Sequence, residues 1–424
     1  MTDGPGVDPA GGEAPVLPVG AAETGRRFWS AFRNSEYRVF WAGAFVSNIG
    51  AWMQNVAQGW LVLELTDSAF MLGLVGFAGT FPWLVLLLVG GVYADRLDRR
   101  RLLIRANIGM MTFAAILTAL TWTGAVQIWH VFVLSVGSGS AIALAAPAFQ
   151  AFIHDLVDRR DLQNAIALNS AQFNLSRVIG PSVAGLTLGA IGLAGCFGLN
   201  TVSYLAAIVA LMLIRAGSRP VPSRTPVWQS IAEGVGYVRE RPRIRALLTI
   251  AALISLLAMP YSTLLPIVAR DSLGLDAAGL GWLFAIGGVG AVGGAMSVAF
   301  RDLLPRGPWL LGCATGTGLC TFALGLTRSP VTAGAALVGI GFFATSAVAL
   351  SNTLLQELVD DGMRGRVMSM FGLAFMGTFP VANLIAGSFA GLTSASTALA
   401  GTGGALALAI VAMALTRPRL RALE

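Results

Sequence analysis

Lysine is absent from this chain of 424 residues, and all 28 of its basic side chains are arginine. Charge of either sign is scarce, at 12% of residues, where soluble domains carry about a quarter. Two histidines and three cysteines complete the short list of metal-binding types, and neither has ligand spacing. Cys196, Cys313 and Cys320 lie in apolar stretches and read as small packing residues. A phosphate-cradling loop needs a lysine, so nucleotide-driven transport has no site. Clustered nucleophiles and paired acids are missing too. The chain does not read as an enzyme, and it implies no cofactor and no metal.

What fills the chain is apolar. Hydrophobic residues make up 55%, glycine supplies 52 positions, and the mean hydropathy is +0.73. Twelve charge-poor segments each approach the length of about 20 residues that a bilayer crossing needs. They fall near 39–63, 69–93, 102–124, 127–152, 165–190, 193–214, 246–269, 277–300, 309–327, 330–355, 367–392 and 395–415. An even number of crossings puts both termini on one face. The net charge of +7 follows that topology. Apart from Arg177, Arg270 and Arg328, the arginines fall in the arm, the tail or the loops on the face of the termini. Arginine is retained in the cytoplasm during insertion, so both termini are expected there. The charge therefore reports topology, and nucleic acid is not an expected partner. The expected class is an all-α, multi-pass plasma-membrane protein, monomeric and surrounded by lipid.

Composition divides the chain further. Residues 1–34 open with a Gly-, Pro- and Ala-rich stretch that has no apolar core, and they are expected to form a disordered cytoplasmic arm. A Pro-rich stretch, Ala216–Pro226, parts the sixth segment from the seventh. It leads into Val227–Arg239, where Val227, Ile231, Val235 and Val238 share one helical face. That pattern predicts an amphipathic helix lying on the membrane or on the bundle. The expected parts are the arm, a six-helix unit over 35–215, a linker over 216–245, a second six-helix unit over 246–416, and a tail over 417–424. A weak repeat supports two similar units. Shifted by 202 residues, Asp155-Leu-Val-Asp158 falls on Glu357-Leu-Val-Asp360, and Ala184-Gly185 on Ala386-Gly387.

The most specific motif is Gly91-Val-Tyr-Ala-Asp95-Arg96-Leu-Asp98-Arg99-Arg100-Arg101, set between the charge-free stretches 69–94 and 106–129. Topology explains the arginines but not the spacing from Gly91 to Asp95. Position by position, this loop resembles the one between the second and third helices of the major facilitator superfamily. Gly180-Pro181-Ser-Val-Ala-Gly185 resembles the fifth-helix signature of that superfamily's exporters. Trp60–Ser68 and Glu233–Pro242 resemble the drug and siderophore exporters of the enterobactin-exporter type. The resemblance covers residues 35–416. It implies twelve helices in two pseudo-symmetric six-helix bundles, with the substrate site between them near the midplane. It further implies export of a small amphipathic molecule (drug, siderophore or secondary metabolite) by alternating access and proton antiport. It also implies a cytoplasmic gate in which Asp95 braces the second helix against the start of the eleventh at Gly365-Arg366-Val367, with Gly91, Arg96, Arg99 and Arg100 in the same loop. An importer or facilitator of a small nutrient or metabolite would share the fold.

Arg177 is the one charge deep in any predicted span. Insertion scales put arginine at mid-bilayer at about 2.5–3.5 kcal/mol, so it is expected to face the bundle interior or water. There it could contact an anionic or carbonyl-rich substrate, or serve as a structural pin bonded to carbonyls. The first helix carries Asn48, Gln54, Asn55 and Gln58, of which Asn48, Asn55 and Gln58 share a face. Such a stripe serves helix–helix hydrogen bonding or lines a cavity. Gln172 and Asn174 add polarity beside Arg177, and all these except Gln54 are cavity candidates. No Asp or Glu lies deep in a span. Glu64 is the nearest candidate to carry a proton, provided it folds inward toward Arg177 or the polar stripe. With Asp67 it reads equally as the edge of a solvated loop.

Overall fold

A computed structural model describes residues 29–215, 227–299 and 305–416. Described helices are α1 (Ser35–Thr66), α2 (Ala69–Arg96), α3 (Arg99–Trp122), α4 (Ile128–Leu156), α5 (Leu162–Leu213), α6 (Val227–Glu240) and α7 (Pro242–Leu257). They continue with α8 (Tyr261–Ile267), a π turn (Val268–Ser272), α9 (Ala277–Ala299), α10 (Arg306–Leu326), α11 (Pro330–Leu358), α12 (Asp361–Met376), α13 (Phe379–Leu392) and α14 (Ala395–Thr416). There is no strand among the described residues. Short polar side chains start three of the first helices by accepting from first-turn amides: Asn34 from Glu36 and Tyr37, Ser68 from Met71, and Asp98 from Arg101. Ten described segments are long and apolar enough to cross a membrane. Helix α1 is not among the ten, although it has 32 residues, because its Asn and Gln side chains dilute its hydropathy.

Helix α5 runs 52 residues but breaks at Gly192, whose φ of 68° only glycine adopts freely. Two expected spans are discontinuous instead of single helices. The seventh stops at Leu257 and resumes at Tyr261, and the eleventh stops at Met376 and resumes at Phe379. Proline is the cause in both. Pro260 and Pro380 lack an amide proton, and their rings clash with the carbonyls of Leu256 and Met376 one turn earlier. The Ser255 hydroxyl donates to the Phe375 carbonyl freed at the second break (2.5 Å).

The expected arm also differs at its end. Residues 1–28 lie outside the described residues, but Ser30–Arg33 form a docked 3-10 turn. Ala31 is fully buried, and its amide donates to Asn164 on α5 (3.0 Å). Phe32 packs edge-on to Trp41 and beside Tyr37, which gives this short stretch the apolar anchor that the Gly-rich sequence before it lacks. Of the expected linker, 216–226 lies outside the described residues.

Helices α1–α5 form one half and α7–α14 the other. In the first half α2 packs on α4, while α1 and α3 pack on α5; in the second α9 packs on α11, and α10 on α11 and α14. The repeat recurs as an ion pair. Arg99 at the start of α3 meets Asp155 at the end of α4 (3.0 Å), and Arg306 at the start of α10 meets Glu357 at the end of α11 (2.5 Å). Both pairs sit at the end of the molecule where α1 begins and α14 finishes, called here the terminal end.

Contact between the halves gathers at the opposite, far end. There α2 packs on α13 and α5 on α9. A Cβ at Gly73 would stand 2.5 Å from the Asn383 carbonyl oxygen and 2.7 Å from Gly387 Cα. A Cβ at Gly281 would stand 2.6 Å from Gly185 Cα and 2.7 Å from the Pro181 carbonyl oxygen. Arg270 also pairs with Asp67 across the halves. Toward the terminal end, among the described residues, no glycine makes such a contact between the halves. Gly91 on α2 and Gly365 and Gly372 on α12 have nothing within 4 Å of where a Cβ would be. The molecule is closed at the far end and parted at the terminal end.

Backbone contact this close leaves no room for a side chain. Gly281→Leu is therefore expected to prevent far-end closure and to favour the opposite conformer. A cysteine at Ser170, exposed here on α5, should then react with a soluble maleimide several-fold more slowly in detergent. Unchanged labelling would show that this contact does not hold the conformer.

Candidate functional site

Helix α5 presents four faces, set by about 100° per residue. Gln172, Ser176 and Gly180 are buried against α1, and a Cβ at Gly180 would stand 2.5 Å from Trp52 Cβ. Val178, Pro181 and Gly185 turn to α9. Between these two faces, on one side, lie Ser170, Phe173 and Arg177; on the other lie the exposed apolar side chains Leu175 (42%) and Leu186 (63%). The apolar side suits lipid and the polar side suits the space between the halves. The helix-five signature thus has a division of labour. Gly180 admits α1 of its own half, and Gly185 admits α9 of the other.

Arg177 sits where the halves part. Its carbonyl oxygen stands 3.2 Å from where a Cβ of Gly288 would be, nearer the terminal end than the glycine contacts of Gly185 and Gly281. Its guanidinium lies over the Trp52 ring of α1, 5.7 Å from the centroid, and Phe173 meets the same ring edge-on at 5.9 Å. Among the described residues Arg177 has no ion pair and no hydrogen bond. A positive charge resting on one aromatic ring, itself met by a second, can bind an anion, a carbonyl or a π-face.

The polar stripe of α1 separates into two groups. Gln54 accepts from Asn200 on the second part of α5 (2.6 Å), and Gln58 donates to Ser135 on α4 (3.0 Å). These two tie helices within their half. Asn48 and Asn55 have no hydrogen bond among the described residues, and Asn55 is exposed. They lie one turn either side of Trp52 on the same face, the face that meets Phe173 and Arg177 through the Trp52 ring. Sequence reading missed Trp52 and Phe173. The signal was available, since position 52 falls between 48 and 55 at helical spacing.

The remaining candidates lie elsewhere. Gln172 is 1% exposed against α1, with neither amide atom hydrogen-bonded. Asn174 donates back to the Ser170 carbonyl (2.9 Å). Glu64 does not fold inward. It is exposed at the far end and accepts from Trp60 Nε1 (2.7 Å). It stands twelve helical residues beyond Trp52, about 18 Å at 1.5 Å per residue, which puts it out of reach of Arg177.

At the terminal end the loop arginines hold their own half together. Arg99 has Asp155, and Arg100 donates to the Leu211 and Met212 carbonyls that end α5 (2.6 and 2.7 Å). Arg96 is exposed, and Gly91 faces open space. Arg366 on α12 pairs with Glu233 on α6 (2.8 Å). The Asp95 side chain lies outside the described residues. Helix α6 docks on α12 of the second half, where Tyr237 and Arg241 both reach Asp360 (3.0 and 3.1 Å). Its place is on the bundle.

Comparison with known proteins agrees with this layout. A family model described as transmembrane secretion effector matches residues 27–424. The staphyloferrin A transporter of Staphylococcus aureus is 24% identical over 356 residues, 82% of this chain and 88% of that protein. The multidrug efflux pump Tap of Mycolicibacterium fortuitum is 28% identical over 400 residues, 90% of this chain and 95% of that protein. Among solved structures, the peptide transporter POT in complex with sulfate superposes with a TM-score of 0.75 at 14% identity, covering 92% of this chain and 96% of that one. An inward-facing, unoccupied bacterial homolog of the human lysosomal transporter Spinster gives a TM-score of 0.68 at 15% identity, covering 92% and 96%. At such identities the structures speak for the fold alone. The chain belongs to the transmembrane secretion effector family, within the major facilitator superfamily of transporters.

Proposed function

We propose that the chain exports a small amphipathic molecule (drug, siderophore or secondary metabolite) across the plasma membrane by alternating access between two six-helix bundles. One observation carries the reading. The halves are closed on one side of Arg177 and parted on the other, which is one half of such a cycle. Ten apolar segments, with α5 read as two spans about Gly192 and α1 added for its length, make twelve. The arginine-rich loops gather at the terminal end, so that end and both termini belong in the cytoplasm. The conformer is then inward-facing. Relatives named for staphyloferrin A transport and multidrug efflux support the outward direction. Proton antiport is the coupling that the family resemblance supports. Glu64, exposed at the far end and held by Trp60, does not meet the condition set for its carrier.

The gate belongs to the other half of the cycle. With the terminal end parted, Arg366 is held by Glu233 and α2 stands away from α12. On closure Asp95 would meet the start of α12, where helix-end partial charge favours an anion by about 0.3–1 kcal/mol. In a balanced two-state equilibrium that is enough to move populations measurably.

Orientation is tested by labelling cysteine-substituted cells. A cysteine at Ser394 should react with an impermeant maleimide in intact cells, and one at Asp158 only after permeabilisation. The reverse pattern would overturn the topology. Arg177→Ala should abolish efflux while leaving expression near wild type, and Arg177→Lys, which keeps charge but loses the planar fork, should retain part of it. Normal efflux by Arg177→Ala would remove this residue from the site. Asp95→Asn should fold and insert yet transport several-fold more slowly, with more of the inward-facing conformer by cysteine accessibility. Wild-type rates in that variant would sink the gate.

A further inference from the structure

The described carboxylates are placed so that none neutralises Arg177. Glu64, Asp67, Asp271 and Asp276 lie at the far end, and Arg270 already engages Asp67 and Asp271. The other described acids belong to the terminal end, and no Asp or Glu falls in the interior of a span. The guanidinium lies over the Trp52 ring, which Phe173 meets edge-on, and Asn48 and Asn55 lie one turn either side of Trp52 on α1. All four are neutral. The level at which the halves part therefore carries a full positive charge with no counter-ion among the described residues.

A cation reaching this level meets like charge in a region of low dielectric, where repulsion is strong. A neutral molecule leaves the guanidinium without an ionic partner. An anion supplies the missing one, and a planar conjugated group can share the Trp52 and Phe173 rings with it. We infer that the cargo is an aromatic organic anion and that the membrane potential, acting through the unpaired Arg177, drives its efflux. The inference rests on the exporter reading above.

Charge balance over one cycle gives the direction. Loaded with a monoanion, the site is neutral, so the outward step carries no net charge. Emptied, it holds the positive charge of Arg177, and its return moves that charge inward, which an inside-negative membrane favours. One negative charge leaves per cycle. A proton returned in the same cycle would add a second charge in the same sense. At 100 mV a single charge corresponds to about a 50-fold distribution, from 2.3 kcal/mol per charge.

Three permanently defined probes test this on the purified full chain: naphthalene-2-sulfonate, its neutral sulfonamide, and a naphthyl trimethylammonium cation. Tryptophan quenching should show the sulfonate binding at least tenfold more tightly than the other two. Arg177→Gln should abolish that preference while still binding the sulfonamide, which reports that the variant is folded. In proteoliposomes without a pH gradient, a valinomycin-imposed inside-negative potential should accelerate sulfonate efflux, and an inside-positive one should slow it. Equal binding of the three probes, including none, overturns the inference. So does sulfonate flux that ignores the potential. Sulfonate binding with no flux at either polarity leaves the anion site standing and removes the exporter reading beneath it.

Discussion

A guanidinium at mid-bilayer depth must find water, a partner or a ring, and the layout about Arg177 follows from that requirement. The side of α5 that carries it cannot face lipid, where Leu175 and Leu186 stand instead. It has to open between the halves. Trp52 of α1 supplies the face on which it rests, and Gly180 allows α1 close enough for the ring to lie there. The other half is then brought against the same helix through Gly185 and Gly281, from just beyond Arg177 to the far end. The charge, the crossing of α1 and the closure of the halves are settled by about three turns of one helix.

Much of this was legible in the sequence, for physical reasons. The run of membrane-length apolar helices was legible from apolar length. Arg177 stood out because no other charge lies deep in a predicted span. Breaks in the seventh and eleventh spans were not read, although Pro260 and Pro380 announce them. Hydropathy windows average across a proline, while the backbone responds to the single carbonyl it displaces. The docked turn at Ser30–Arg33 escaped for a similar reason. One aromatic side chain, Phe32, anchors it on Tyr37 and Trp41, too little to register in a segment otherwise rich in Gly, Pro and Ala.

The polar stripe of α1 shows where sequence alone runs out. Periodicity places Asn48, Asn55 and Gln58 on one face, but a helix face spans more than one neighbour. Gln58 is long enough to reach Ser135 on α4, and Gln54 reaches Asn200. The shorter asparagines stop in the space between the halves. Partner choice depends on side-chain reach and on which helix lies within it. Spacing encodes neither.

The two halves repeat in outline and differ in task. Each ends its fourth helix with a carboxylate that grips the arginine opening its third, Asp155 with Arg99 and Glu357 with Arg306. These pairs are partly exposed, with side-chain exposures of 12% and 18% in the first and 34% and 49% in the second. Exposed pairs are worth about 0.2–1 kcal/mol, so the second adds little to stability. Both lie within a half, and so they need not break when the halves rock. In the proposed cycle the contacts that would change belong to glycine backbones at one end and to α12 at the other. Arg366 spends its charge on the linker helix while the terminal end is parted. A carrier works only if neither end closes too firmly, and contacts of this small size keep the two states within reach of one another.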